Sequence, residues 1–302
     1  EEVSTQAPQV EETLDLSRPS GSRTTKNGVV SGFMILATAL AIVPLAWLLA
    51  SALHRGLGPI LHASWWANTM DPSLDVAKQG ALHAIVGTLV IGLITSVISI
   101  PIALLTAIFL VEYARGTKLA RVISFAVDVL TGVPSIVAAL FIYAVIVSTF
   151  HGTQSAWAAS LALVILMVPT VLRSTEEMLK LVPDSLREAS YALGVSKWRT
   201  IFNVVLPTSI SGVLTGIVLG LARVLGETAP LMVLVQYNTT FADGPGSPNF
   251  ATIPTIITDA YTRGGVNTPS VWGAAVTLII LVMGLNLIAR AVSRRYLRRM
   301  GK

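Results

Sequence analysis

Residues 184–207 read DSLREASYALGVSKWRTIFNVVLP, and this stretch decides how the chain is built. Ser185 and Glu188 stand in the S-x-x-E spacing of a capping box, which starts a helix by satisfying its free amides. Leu186, Ala189 and Leu193 then share one helical face. Gly194 occupies the position of a C-terminal cap. Ser196 is placed to cap a second helix, in which Trp198, Ile201, Phe202 and Val205 recur at i, i+3, i+4, i+7. Pro207 closes the unit. The segment predicts two short amphipathic helices that meet at a glycine. Such a pair suits two uses: lying in a membrane interface, or docking into a soluble partner and passing on its motion.

On either side of this unit the chain turns apolar. One run ends just before it (155–173) and another begins just after it (208–237). Four more lie at 29–53, 80–112, 121–150 and 270–292. Crossing the hydrocarbon core of a bilayer takes about 20 apolar residues. Every run meets that length except 155–173, which is slightly short. A membrane barrel would instead show alternating segments of about ten residues. The expectation is therefore an all-α integral membrane protein with six transmembrane helices, 29–293, carrying an ordered loop at 174–207.

Composition agrees. Of 302 residues, 53% are hydrophobic and only 12% are charged, about half the roughly 25% usual for a soluble domain. The net charge of +5 sits at the ends of the apolar runs, so it reads as topology and not as a nucleic-acid surface. Cysteine is absent and the four histidines are scattered, so no metal site, thiol nucleophile or cofactor is expected.

Lysine and arginine set the orientation. With the N-terminus inside, the inner segments hold Arg115, Lys118, Arg121, Arg173, Lys180, Arg187, Lys197, Arg199 and the basic ends at 18–26 and 290–302. The outer loops hold only Arg55, Lys78 and Arg263. Both termini are expected on the cytoplasmic side of the plasma (inner) membrane. Residues 1–28 are polar and are expected to be a disordered cytoplasmic tail. Residues 294–302 form a basic cytoplasmic tail. The first run is too long for a signal peptide, despite Ala50-Ser51-Ala52, and is taken as an uncleaved span. Trp65 and Trp66 in the outer loop at 54–79 read as an interfacial anchor. The apolar stretch 250–261 is too short to cross and predicts a re-entrant or interfacial helix.

Two charges fall inside the fifth run. An arginine at a span centre costs about 2.5–3.5 kcal/mol on insertion scales, so Arg223 should face protein or water and not lipid. On a helical wheel Gly212, Gly216, Gly220, Arg223 and Glu227 fall within about 80°. The glycines form a G-x-x-x-G-x-x-x-G surface for close helix approach. Arg223 and Glu227 are read either as a buried salt bridge that locks the bundle, or as a site where a guanidinium offers positive potential to a tetrahedral oxyanion. Arg173, at the end of the fourth run, is read either as a third charge on the pathway or as a snorkelling arginine.

The residues Glu188-Ala189-Ser190, Gly194 and Ile201 to Leu206-Pro207 resemble the EAA loop of ABC importer permeases. Ser190 stands for the second alanine, and Val204-Val205-Leu206-Pro207 stands at the close. The segments Ala84-Ile85-Val86-Gly87-Thr88-Leu89, Gly132-Val133-Pro134-Ser135-Ile136-Val137, Leu172-Arg173-Ser174-Thr175-Glu176-Glu177-Met178-Leu179 and Arg223-Val224-Leu225-Gly226-Glu227-Thr228-Ala229-Pro230-Leu231 resemble the PstA-type phosphate permease family. That resemblance implies a type I ABC importer (MetI-like) fold with cytoplasmic coupling helices that sit in a cleft of the ATPase. It implies Arg223, Glu227 and Arg173 on the substrate pathway, and Glu188, Ala189, Gly194 and Pro207 in ATPase coupling. It further implies a PstC-type partner permease, a PstB-type ATPase dimer and a PstS-type phosphate-binding protein. No P-loop, nucleophile elbow or zincin motif is present, so no catalytic residue is assigned and ATP hydrolysis falls to the partner. Two rivals remain: a permease for sulfate or molybdate, and an ATP-independent secondary transporter in which Glu227 couples protons.

Overall fold

The computed structural model describes residues 21–70, 78–265 and 268–299. The expected polar tail lies outside these residues over 1–20, and so do the last three residues, 300–302. In chain order the helices are α1 (Gly21–Leu61), α2 (Ala63–Ala67), α3 (Leu82–Ile108), α4 (Lys118–Thr131), α5 (Ser135–Ile142) and α6 (Ala156–Lys180). Then follow α7 (Asp184–Ala192), α8 (Lys197–Thr200), α9 (Leu206–Leu225), α10 (Ala229–Leu234), α11 (Ile253–Thr262) and α12 (Pro269–Arg299). π-helical turns extend α3 (Phe109–Tyr113) and α5 (Tyr143–Thr149), and a third, Ile201–Val205, joins α8 to α9. No strand forms among the described residues; a single parallel bridge links Gln236 and Asn249.

Among the described residues five continuous helices are long and apolar enough to cross a membrane. The third run, 121–150, is not the single helix its hydropathy predicts. It breaks at Gly132-Val133-Pro134 into α4 and α5, which are bent by 103°. Pro134 carries no amide hydrogen and pushes Val133 out of the helical region, so the chain turns there. The helix ends differ too. α1 starts at Gly21, ahead of the expected 29, and α12 runs to Arg299, past the expected end at 293. Polar flanks extend a helix that an apolar core has already nucleated, since each added residue gains one backbone bond.

The chain divides into residues 1–51 and residues 52–302. The described part of the first unit is the stretch 21–51 of α1, which from 27 to 51 carries no charged side chain and is predominantly apolar, as a membrane helix is. In the second unit α6 is central. Ala156, Ala158, Ala159, Ala162, Leu163, Met167, Val171 and Leu172 are all buried, and α3, α4, α5, α9 and α10 pack around them. Small side chains let these backbones approach, which matters in lipid, where no hydrophobic effect drives helices together.

A second buried cluster in this unit is built on Trp65, Ala81, Ala84, Ala251, Ile253, Ile256 and Ala274. Trp65 is therefore not an interfacial anchor. It is 3% exposed, and its indole nitrogen donates to Thr277 Oγ1 at 2.8 Å. Trp66 is exposed and donates to the Ile60 carbonyl. The short helix expected near 250–261 exists as α11. A Thr252/Thr255 capping box starts it, and its first turn is buried against α3 and α12.

Candidate functional site

The fifth run supplies the first group of candidates. α9 stops at Leu225 because Gly226 is a poor helix former and Pro230 has no N–H to bond the Gly226 carbonyl. Glu227 thus lies in a break between α9 and α10, off the helical wheel on which the sequence placed it. The glycine stripe does what its spacing predicts, and the structure identifies the partner helix. A Cβ on Gly212 would overlap Met178, one on Gly216 would overlap Ser174, and one on Gly220 would stand 2.9 Å from Val171, all on α6. Arg223 does not share that packing; its side chain is 48% exposed and that of Glu227 is 20% exposed. Arg223 Nε lies 3.9 Å from Glu227 Oε1, an ion pair but outside hydrogen-bond range. The guanidinium therefore keeps its donors for another acceptor.

Arg173 is engaged elsewhere. It lies inside α6, which continues past it to Lys180. Its Nη1 donates to Glu176 Oε2 at 2.6 Å, and its Nη2 donates to the Ser124 carbonyl and to Asp128 Oδ1. Lys180 completes the cluster on Glu176 Oε1 at 2.7 Å. These bonds clasp α4 to α6. Among the described residues no ion pair joins Arg173 to Glu227.

The second group is the helix pair of 184–207. Both helices form, but with different ends. Pro183 is the N-cap of α7 and no side chain caps it, so the Ser185/Glu188 capping box is absent. The proline sets the entry geometry and Asp184 supplies the favourable first-turn charge instead. Gly194 is in the left-handed region at φ 76°, and the bonds Gly194 N–H to Tyr191 O and Val195 N–H to Ser190 O form a Schellman cap. Ser196 is the N-cap of α8 without a side-chain bond. Pro207 does not close the unit: α8, a π turn and α9 run on continuously into the span, with Pro207 in the first turn of α9. Because Pro207 cannot donate and its ring crowds the preceding turn, the helix widens there.

Glu188, Ala189 and Gly194 are all exposed, and Glu188 makes no hydrogen bond or ion pair with the described residues. It therefore caps nothing. Leu186, Leu193 and Trp198 are exposed beside it, at 40%, 82% and 56%. Of the stripe read in α8, Ile201 and Val205 are buried while Trp198 and Phe202 face out. Ser190, the departure from the alanine pattern, has a role of its own. Its hydroxyl lies 2.8 Å from that of Thr200, both buried, and the bond ties the two helices together.

Sequence reasoning missed one residue here. Arg187 entered only as a topological charge, yet it is buried. It bonds Glu112 Oε1 from Nη2 at 2.8 Å and from Nε at 3.1 Å, the Val182 carbonyl at 2.6 Å, the Leu179 carbonyl at 3.0 Å and Asp184 at 3.0 Å. Its partner Glu112 lies 75 residues away, so nothing local signals the pair.

The comparisons with known proteins speak to the family and the fold. The model of the family described as binding-protein-dependent transport system inner membrane component matches residues 99–302. The phosphate transport system permease protein PstA 1 of Mycobacterium tuberculosis is 45% identical over 89% of this chain and 89% of its own. The phosphate transport system permease protein PstA of Yersinia pestis is 37% identical over 89% and 90%. Among solved structures, a chain of a bacterial alginate ABC transporter superposes with a TM-score of 0.65 at 15% identity, covering 89% of this chain and 96% of that one. A chain of the MetNI methionine ABC transporter in an inward-facing conformation gives 0.57 at 21% identity, over 72% and 94%. At that identity these two speak to fold alone.

Proposed function

The chain belongs to the binding-protein-dependent transport system inner membrane component family, and we propose that it is the phosphate permease subunit of an ABC importer. The observation that carries the substrate is the 45% identity, across nearly nine-tenths of both chains, to a phosphate transport system permease. The fold is a multi-pass helical membrane unit of the type I ABC importer permease kind.

The finer assignments follow from residues. Arg223 and Glu227 stand on the phosphate pathway. A half-exposed guanidinium within a span would be costly against lipid, so it faces water or a partner subunit, and its free donors suit a tetrahedral oxyanion. Glu227, held loosely at 3.9 Å, orients it. Arg173 adds positive potential from the α4–α6 clasp. Glu188, Ala189 and Gly194 present the docking face for an ATPase dimer of PstB type, and Pro207 lies where that face joins the span. A PstC-type permease and a PstS-type binding protein complete the assembly, both termini lie in the cytoplasm, and this chain performs no bond chemistry.

ATP-dependent phosphate uptake into proteoliposomes holding the whole assembly, with sulfate as competitor, tests this reading. Uptake that ignores sulfate is expected. Uptake displaced by sulfate would make the chain a permease for another oxyanion, and uptake without ATP would make it a secondary transporter.

A further inference from the structure

We infer that the buried pair Arg187–Glu112 is the link through which the cytoplasmic helix pair moves span α3, so that Arg187 is a positioning residue for transport. The inference rests on the permease reading above.

α7 buries only two side chains, Arg187 and Ser190, and both are polar. Its apolar residues Leu186 and Tyr191 point away, 40% exposed each. An amphipathic helix resting on a bundle normally buries its apolar stripe; this one is attached by directional bonds instead. Ser190 reaches only Thr200, inside the helix pair. Arg187 is the buried side chain that joins α7 to the ends of α3 and α6. On the surface Asp184 also pairs with Arg115, just past α3, at 3.3 Å, and α7 rests on the π turn Ile201–Val205 that leads into α9. The bonds of Arg187 run to the Glu112 carboxylate at the end of α3 and to carbonyls of Leu179 and Val182 at the end of α6.

The Glu112 end is also unusual. Glu112 lies in the π turn Phe109–Tyr113, its side chain only 4% exposed. The next residue, Tyr113, meets the other coupling helix, with Lys197 Nζ 4.7 Å from the ring centroid. One π turn of α3 therefore receives both helices of the pair. π turns interrupt regular helix packing and recur at functional sites. A buried ion pair is weak as a stabiliser, because desolvation offsets its attraction, but its geometry is fixed by five bonds. A displacement of α7 is thus imposed on α3 and not absorbed by sliding apolar contacts.

The test replaces both charges, Arg187→Met with Glu112→Leu, since apolar substitutes of similar volume usually preserve folding where a single deletion leaves an unpaired charge. The assembled transporter in proteoliposomes is scored for ATPase co-purification, ATP hydrolysis and phosphate taken up per ATP hydrolysed. The expected variant retains its ATPase and hydrolyses ATP, while uptake per ATP falls about tenfold, within the range of ordinary site-to-site coupling. Arg187→Lys, which keeps the charge but cannot fork between Glu112 and two carbonyls, should fall in between. Wild-type uptake per ATP in the double variant would overturn the link. So would loss of the ATPase on purification, which would make the pair a folding element of the docking face. Wild-type proteoliposomes that take up no phosphate would sink the permease reading itself, and the link with it.

Discussion

Gly216 of α9 lies so close to Ser174 of α6 that a Cβ on the glycine would collide with the serine hydroxyl. The contact is side chain against backbone, so it is adjustable from one side. Gly216→Ala should destabilise the protein by about 1–3 kcal/mol, the range for overpacking. Ser174→Gly in the same chain should return most of that loss. Thermal unfolding in detergent of the two single variants and the double variant gives the coupling directly, and additive effects would contradict the contact.

Arg223 is half exposed and only loosely paired. Arg223→Ala should therefore leave assembly intact, with a stability change of about 0–1 kcal/mol, as for an exposed ion pair. Phosphate uptake should be lost. Arg223→Lys should retain charge yet transport poorly, because an ammonium does not fork onto two oxygens. A variant that fails to assemble would mark Arg223 as a bundle lock.

Gly194 has a left-handed backbone and nothing within 4 Å of where a Cβ would stand. The cost of Gly194→Ala is then backbone strain alone, about 1–2 kcal/mol. Gly194→Asn should be milder. The readout is retention of the ATPase on purification at rising temperature, with the alanine variant losing it first.

Glu188 is exposed and makes no hydrogen bond or ion pair with the described residues. Glu188→Lys should change unfolding by no more than about 0.5 kcal/mol. ATPase co-purification should drop sharply. Unaltered binding of the ATPase by this variant would remove Glu188 from the docking face.

Trp65→Phe should cost about 1 kcal/mol by removing the indole bond to Thr277. Trp66→Phe, whose indole bonds a nearby carbonyl on an exposed surface, should cost less. Equal effects in thermal unfolding would return both residues to an interfacial role.

The sequence alone determined the class of molecule, the position of most spans, the short helix α11 and the helix pair around Gly194. All of these depend on local quantities: how apolar a run of about 20 residues is, and whether a glycine follows a helical repeat. The glycine stripe of α9 was legible for the same reason, because helical spacing alone puts Gly212, Gly216 and Gly220 on one face. Its partner helix α6 was not. Charge number and periodicity likewise revealed Arg223 as an arginine inside a span, but not that it stands outside the packed stripe.

Tertiary structure alone decided what each face meets. It bent the third run at Pro134, carried α8 straight through Pro207 into the fifth span, and buried Trp65 where the sequence placed an anchor. It engaged Arg173 with Asp128 and Glu176, and it joined Arg187 to Glu112 across 75 residues. Hydropathy reports whether a side chain prefers lipid or water. It says nothing of the rotation of a helix about its axis or of the neighbour it finds, and a buried ion pair exists only when two distant turns are brought within about 3 Å of each other.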